Sequence, residues 1–185
     1  MPDIYLYDDA PVLRNKLQIK NEKTLELIEA EQSRANMMLL YEQGFHDFSQ
    51  KGLCQIHRFL FGDIYDWAGQ FRVINIEKRE KLLGGRSVWY SNDENIAQDL
   101  QNAFDTINSK KWDAFSQQEF AHELAMTFPK VWQTHPFREG NTRTVGYDDD
   151  ILRGGSRLLY GSGADGTEFR ICQRFLCHGI AGSVF

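Results

Sequence analysis

Thr134-His135-Pro136-Phe137-Arg138-Glu139-Gly140-Asn141-Thr142-Arg143-Thr144 holds the densest set of chemically capable side chains in the 185-residue chain. A histidine ends one helical pattern, an acid follows four residues later, and Gly-Asn-Thr-Arg opens a new segment. His135, with an ordinary pKa near 6.5, suits the removal of a proton from a hydroxyl at neutral pH. Gly140 and Asn141 tolerate tight or left-handed backbone, which lets successive N–H groups converge on an anion at a helix start. Arg143 adds a planar cationic fork for the same anion. Glu139 beside a bound phosphate is the type of oxygen ligand that Mg²⁺ takes. These are the parts of a phosphoryl- or nucleotidyl-transfer site. The plainer reading of the two charges is an ion pair between Glu139 and Arg143 at the helix start.

The elements that must carry this loop read as helices. Asn21 to Gly44 predicts a first long helix, through Leu25, Ile28, Met37, Leu40 and Tyr41, with Gly44 as its stop. Ser49 caps a second segment with the apolar stripe Leu53, Ile56, Phe59 and Leu60, which runs into the turn-rich Gly62–Gly69. Phe71 to Ile76 alternates as a short strand would, and Lys81 to Tyr90 has a hairpin pattern around Gly84-Gly85. Ser91/Glu94 and Ser116/Glu119 have the spacing of capping boxes and open two further helices. Pro129 should kink or shorten the second of these. His57 lies on an apolar stripe and reads as a core histidine. The expected fold is mainly α, a helical bundle with one small β-hairpin.

The averages fit one acidic domain: 42% hydrophobic, 25% charged, net charge -5. No apolar run is long enough for a membrane span, so no membrane partner is expected. No charged-then-apolar leader opens the chain, which argues against a secretory signal. The acidic balance offers no global attraction for nucleic acid. Three cysteines, Cys54, Cys172 and Cys177, suit a reducing cytoplasm better than a disulfide framework. Two zinc readings fail on spacing: Met126 stands where His122-Glu123 would need a second His, and Cys172 with Cys177-His178 has no second pair.

His135-Pro136-Phe137-Arg138-Glu139-Gly140-Asn141-Thr142-Arg143 resembles the signature HPFx[D/E]GN-x-R of the Fic (Fic/Doc) domain family. Ile56 to Gly69 resembles the family's helix and turn, Lys81 to Tyr90 its flap hairpin, and Phe128-Pro129-Lys130-Val131 its approach to the signature. The likeness covers about residues 1–145. It implies a Fic-type helical bundle and a protein adenylyltransferase that moves AMP from ATP to a Ser, Thr or Tyr hydroxyl of a target protein. By that analogy His135 is the catalytic base and Phe137 anchors the loop. Glu139 holds Mg²⁺, Gly140, Asn141 and Thr142 cradle the phosphates, and Arg143 pairs with the leaving pyrophosphate. Leu83, Gly84, Gly85, Arg86, Ser87, Val88 and Trp89 form the flap that docks an extended target segment. The family also implies an inhibitory partner, either an antitoxin or an inhibitory helix; its [S/T]xxxE[G/N] pattern has no match before the flap. The implied location is a bacterial cytoplasm, with relatives delivered as secreted effectors. Thr142 replaces the commoner Gly, and Gly146 stands where many members carry a second Arg. These departures keep open another donor nucleotide or a Doc-like phosphotransferase; an inactive remnant that at most binds peptide is a separate alternative.

Composition changes after Val145. Residues 146–185 hold eight of the fifteen glycines and no Lys, Trp or Pro. Gly146-Tyr147-Asp148-Asp149-Asp150-Ile151 is poor material for a core helix, since buried carboxylates are costly. Its codons, read one base later, permit Val-Met-Met-Met-Ile. The expectation is a Fic domain over 1–145, an aberrant, frameshifted tail over 146–185, and a helix cut short one turn after Arg143 with impaired activity as the result.

Overall fold

The computed structural model describes residues 3–45, 47–76 and 89–152, the last four of these as backbone only. The elements run β1 (Leu6–Tyr7), β2 (Ala10–Leu13), α1 (Glu22–Gln43), α2 (Gln50–Phe61), α3 (Ile96–Asn108), α4 (Gln117–Thr134) and α5 (Asn141–Leu152). Single 3₁₀ turns at Asp93–Asn95 and Trp112–Ala114 precede α3 and α4. The architecture is mainly helical with one small antiparallel pair, as the sequence implied.

The caps explain most of the boundaries. The Asn21 side chain accepts from the Thr24 N–H at the start of α1, and Gly44 ends it in the left-handed region at φ 63°. Ser49 caps α2 by accepting from Gly52 N–H. Ser116 and Glu119 form the expected reciprocal capping box on α4. The box expected at Ser91 is not formed: a 3₁₀ turn intervenes and α3 starts at Ile96 without a side-chain cap. The Ser91 carbonyl is instead held by the Arg72 guanidinium. Phe71–Ile76 is not a strand. Pro129 does not end α4, which continues to Thr134 with Pro129 buried inside it; tertiary packing overrides the local penalty.

The two-stranded sheet is the hairpin β1–β2, with Leu6 opposite Leu13 and Tyr7 opposite Ala10. It is not the expected flap. Leu83, Gly84, Gly85, Arg86, Ser87 and Val88 lie outside the described residues.

Two apolar clusters form the core. One joins Leu53 of α2, Leu100, Phe104 and Ile107 of α3, Leu124, Phe128, Val131 and Trp132 of α4, and Phe137 and Val145. The other joins Leu25 and Leu40 of α1, Ile56, Leu60 and Phe61 of α2, Ile64, Tyr65 and Tyr147. Both α2 and α5 contribute to both clusters, so α5 sits against α2 and α4 at the middle of the bundle.

The helix expected to stop one turn after Arg143 runs on to Leu152. Tyr147 explains part of this. Its ring is fully buried against Tyr41, with centroids 4.7 Å apart, and its hydroxyl donates to the carbonyls of Leu40 and Phe45 at 3.1 and 2.7 Å. Burial pushes that phenol up to about 12. Asp148, the next residue, is 1% exposed.

Candidate functional site

The signature loop runs from the end of α4 to the start of α5. His135 terminates α4 in the left-handed region at φ 46°, ψ 58°, a conformation that costs a residue with a Cβ roughly 1–2 kcal/mol. Surrounding bonds hold it there. Its carbonyl accepts from Arg72 Nε at 2.8 Å, and the Pro136 carbonyl accepts from the Arg72 N–H at 2.8 Å. The imidazole is 3% exposed, stacked on the Tyr90 ring at 4.0 Å and edge-on to Trp132.

Phe137 is fully buried in the core, stacked on His57 with ring centroids 3.8 Å apart. Asn141 closes the loop: its Oδ1 accepts from the Phe137 N–H at 2.9 Å, and its Nδ2 donates to the Phe137 carbonyl at 2.8 Å. The family resemblance implies a phosphate-cradling role for Asn141. In the structure its side chain is 2% exposed and committed to the loop backbone, which leaves only its main chain for a ligand.

Gly140 takes φ 80°, and a Cβ there would lie 2.5 Å from Phe61 Cε2. Only glycine satisfies both conditions. The Gly140 N–H donates to the Glu139 carboxylate at 3.1 Å, and its carbonyl accepts from Thr144 N–H. The first-turn amides of α5 that follow belong to the set a helix leaves without intrahelical acceptors. Thr142 accepts from Trp132 Nε1 at 3.0 Å through its hydroxyl.

Arg143 is not paired with Glu139. Its guanidinium pairs with the Glu29 carboxylate, donates to Ser33 Oγ at 2.8 Å, and lies 4.8 Å over the Phe61 ring. Tyr65 donates to the other Glu29 oxygen, and burial next to that carboxylate drives the phenol upward. Glu29 comes from α1, 114 residues away, so no local spacing announces it.

Three further residues hold the loop through contacts that local sequence pattern does not reveal. His57 is a buried core histidine, as its stripe implied, yet it also fastens the loop. Its Nδ1 accepts from Gly69 N–H at 2.8 Å, so the neutral ring carries its proton on Nε2 and donates it to the Glu139 carbonyl at 3.0 Å. Burial pulls its pKa down to about 3, which keeps that tautomer uncharged. Arg72 is 2% exposed beneath His135. Asp3 forms an ion pair with Arg138 at 2.6 Å, tying the N-terminal segment to the loop. Of the expected flap only Trp89 is described. It is 89% exposed, and its carbonyl accepts from Gln133 Nε2 at 3.3 Å. A groove of about 390 Å³ beside it is lined by Tyr90, Asp99, Asn102, Lys130 and Gln133 among others.

Among the described residues no helix is long and apolar enough to cross a membrane. No group of three His, Cys, Asp or Glu stands together there as a metal site. A single carboxylate at Glu139 next to glycine backbone fits Mg²⁺ only in the mode that completes its shell with phosphate oxygens and water.

The helical bundle presents a buried histidine, a glycine-cornered loop and a helix start in this order. The sequence model of the Fic/DOC family matches residues 47–145, and the chain belongs to that family. A protein adenylyltransferase of Bartonella henselae is 32% identical over 154 residues, covering 77% of this chain and 28% of that protein. The probable protein adenylyltransferase y4lH of Sinorhizobium fredii is 29% identical, covering 77% of this chain and 70% of that one. The chain thus spans under a third of the Bartonella henselae relative. Among solved structures, BepC of Bartonella tribocorum with bound AMPPNP superposes with a TM-score of 0.73 at 21% identity, covering 96% of this chain and 94% of that one. The type IV secretion effector BepA does so at 0.67 and 26%, covering 80% and 53%.

Proposed function

We propose that this chain carries the core of a protein adenylyltransferase, with ATP as AMP donor and a Ser, Thr or Tyr hydroxyl of a target protein as acceptor. The observation that carries the reading is the closed signature loop. Asn141 and Gly140 lock its backbone, so that His135 and the first-turn amides of α5 have fixed positions. In the reaction the target oxygen attacks the α-phosphorus, and the bond to pyrophosphate breaks. His135 takes the hydroxyl proton as the new phosphoester forms. The amides from Asn141 to Arg143 supply hydrogen bonds and the helix dipole to the phosphates. Glu139 would hold Mg²⁺, which when bound neutralises charge on those phosphates. Arg143 serves the leaving pyrophosphate once it exchanges Glu29 for phosphate. A target segment docks along the flap. Relatives of these names and structures support the assignment.

A second reading, an inactive remnant with at most a peptide-binding surface, is favoured by the tail. Asp148 is buried within α5, and the family match stops at Val145, where the composition changes. The change of reading frame after that point accounts for both. Sequencing across codons 140–185 tests it; an intact frame with no helix-coding alternative one base on ends the idea.

Intact-protein mass spectrometry after incubation with ATP, Mg²⁺ and the chain itself as acceptor tests the activity. An AMP adduct that His135→Ala abolishes supports the transferase, and a phosphate adduct instead indicates the Doc-like chemistry. No adduct on the chain or on added bacterial protein leaves the remnant.

A further inference from the structure

We infer that Arg72 is a positioning residue: it sets the backbone of His135 relative to Ile74 and Ser91. Its guanidinium is buried and surrounded by main-chain carbonyls from three separate stretches of chain. Nε donates to His135 O at 2.8 Å, and Nη1 donates to Ile74 O at 2.7 Å. Nη2 donates to Ser91 O and, at 3.5 Å, to Thr134 O. The backbone N–H of the same residue reaches Pro136 O at 2.8 Å. Arginine alone has five donors in a rigid planar fork, so no other side chain can satisfy four carbonyls in this arrangement.

The contacts close a loop through the imidazole. Ser91 is preceded by Tyr90, whose ring stacks on His135 at 4.0 Å with an interplanar angle of 24°. One guanidinium therefore holds the carbonyl of His135 and the carbonyl next to the ring that its imidazole rests on. The left-handed backbone of His135 is held in the same way, through its own carbonyl and those of Thr134 and Pro136. Ile74, Ser91 and His135 are thereby fixed to one rigid group, which sets where the imidazole stands for proton transfer. This catalytic consequence rests on the reading of His135 as the base; the positional statement does not.

The test uses the full chain labelled with ¹³Cε1-histidine, as native protein and as Arg72→Lys and Arg72→Met. His135→Gln assigns the His135 resonance. The Tyr90 ring current displaces that resonance from the position of exposed His122, whereas His57, stacked on Phe137 elsewhere in the loop, reports on the core. In both Arg72 variants the His135 resonance should move most of the way to the His122 position while His57 stays in place. Lysine keeps the charge but not the fork, so Arg72→Lys decides the matter if Arg72→Met does not fold. An unmoved His135 resonance in folded Arg72→Lys overturns the inference. So does a His57 resonance that moves with it, since that reports general loosening. Where the native chain transfers AMP, kcat falls about 100-fold, the scale of a misplacement of about 1 Å, and KM for ATP is unchanged. AMP transfer that needs His135 but not Arg72 sinks the inference and leaves the proposed function standing. A chain with no transfer at all leaves the resonance comparison as the deciding result.

Discussion

Gly140→Ala is the most informative single change in the loop, because two independent penalties can be separated. The first is backbone: φ 80° is left-handed, and a Cβ there costs roughly 1–2 kcal/mol. The second is overlap. The added carbon would lie 2.5 and 2.6 Å from Phe61 Cε2 and Cζ, well inside the ~3.5 Å of carbon contact. Phe61 has little room to yield. It is 1% exposed, with the His57 ring on one contact and the Arg143 guanidinium on another, each 4.8 Å away. Forcing a carbon into such a site costs roughly 1–3 kcal/mol. The total is therefore about 2–5 kcal/mol. Gly44→Ala supplies the control, since Gly44 also has positive φ but nothing within 4 Å of its absent Cβ. It should cost only the backbone part. Urea unfolding, read at constant m-value, gives both numbers. Adding Phe61→Leu to Gly140→Ala should recover about 1–3 kcal/mol of the overlap relative to additivity. If Gly140→Ala destabilises no more than Gly44→Ala, the close approach of Gly140 to Phe61 is not what demands glycine, and the argument fails.

Other expectations follow from the same contacts. Unfolded, His57 binds a proton near 6.5, and folded only near about 3. Stability contributed by the neutral ring is thus complete above 6.5 and lost on acidification towards 3, by up to about 1.4 kcal/mol per pH unit; His57→Asn should flatten that part of the Tm–pH curve. Glu29→Gln leaves the half-buried Arg143 guanidinium without its counterion and should cost about 3 kcal/mol in urea unfolding; a loss within 0.5 kcal/mol would mean the pair is solvated.

Much of the bundle was legible because it is written in local signals. Asn21, Gly44, Ser49 and the Ser116–Glu119 pair act within one helical turn, and their helices lie where those residues put them. The box at Ser91 was equally regular in sequence and did not form: a 3₁₀ turn precedes α3, and the Ser91 carbonyl serves Arg72 from another part of the chain. The strand pattern at Phe71–Ile76 failed for a related reason. Its backbone is used singly, with Arg72 N–H bonded to Pro136 O and Val73 N–H to the Tyr5 hydroxyl, and no partner strand is met among the described residues.

The sequence by itself determined the family, the order of the chemical groups from His135 to Arg143, and the glycine at the loop's corner. Nine adjacent residues carry that information, and their spacing is covalent. Only the tertiary structure decided what these groups touch. Arg143 meets Glu29 and Ser33 of α1 rather than Glu139, and His57 fastens the loop 82 residues away. Arg72 gathers four carbonyls that no pattern of side chains could reveal. Main-chain acceptors are the same at every position of a chain, so a residue that recruits them leaves no signature in the partner's sequence. Its role exists only once the fold has brought those carbonyls together.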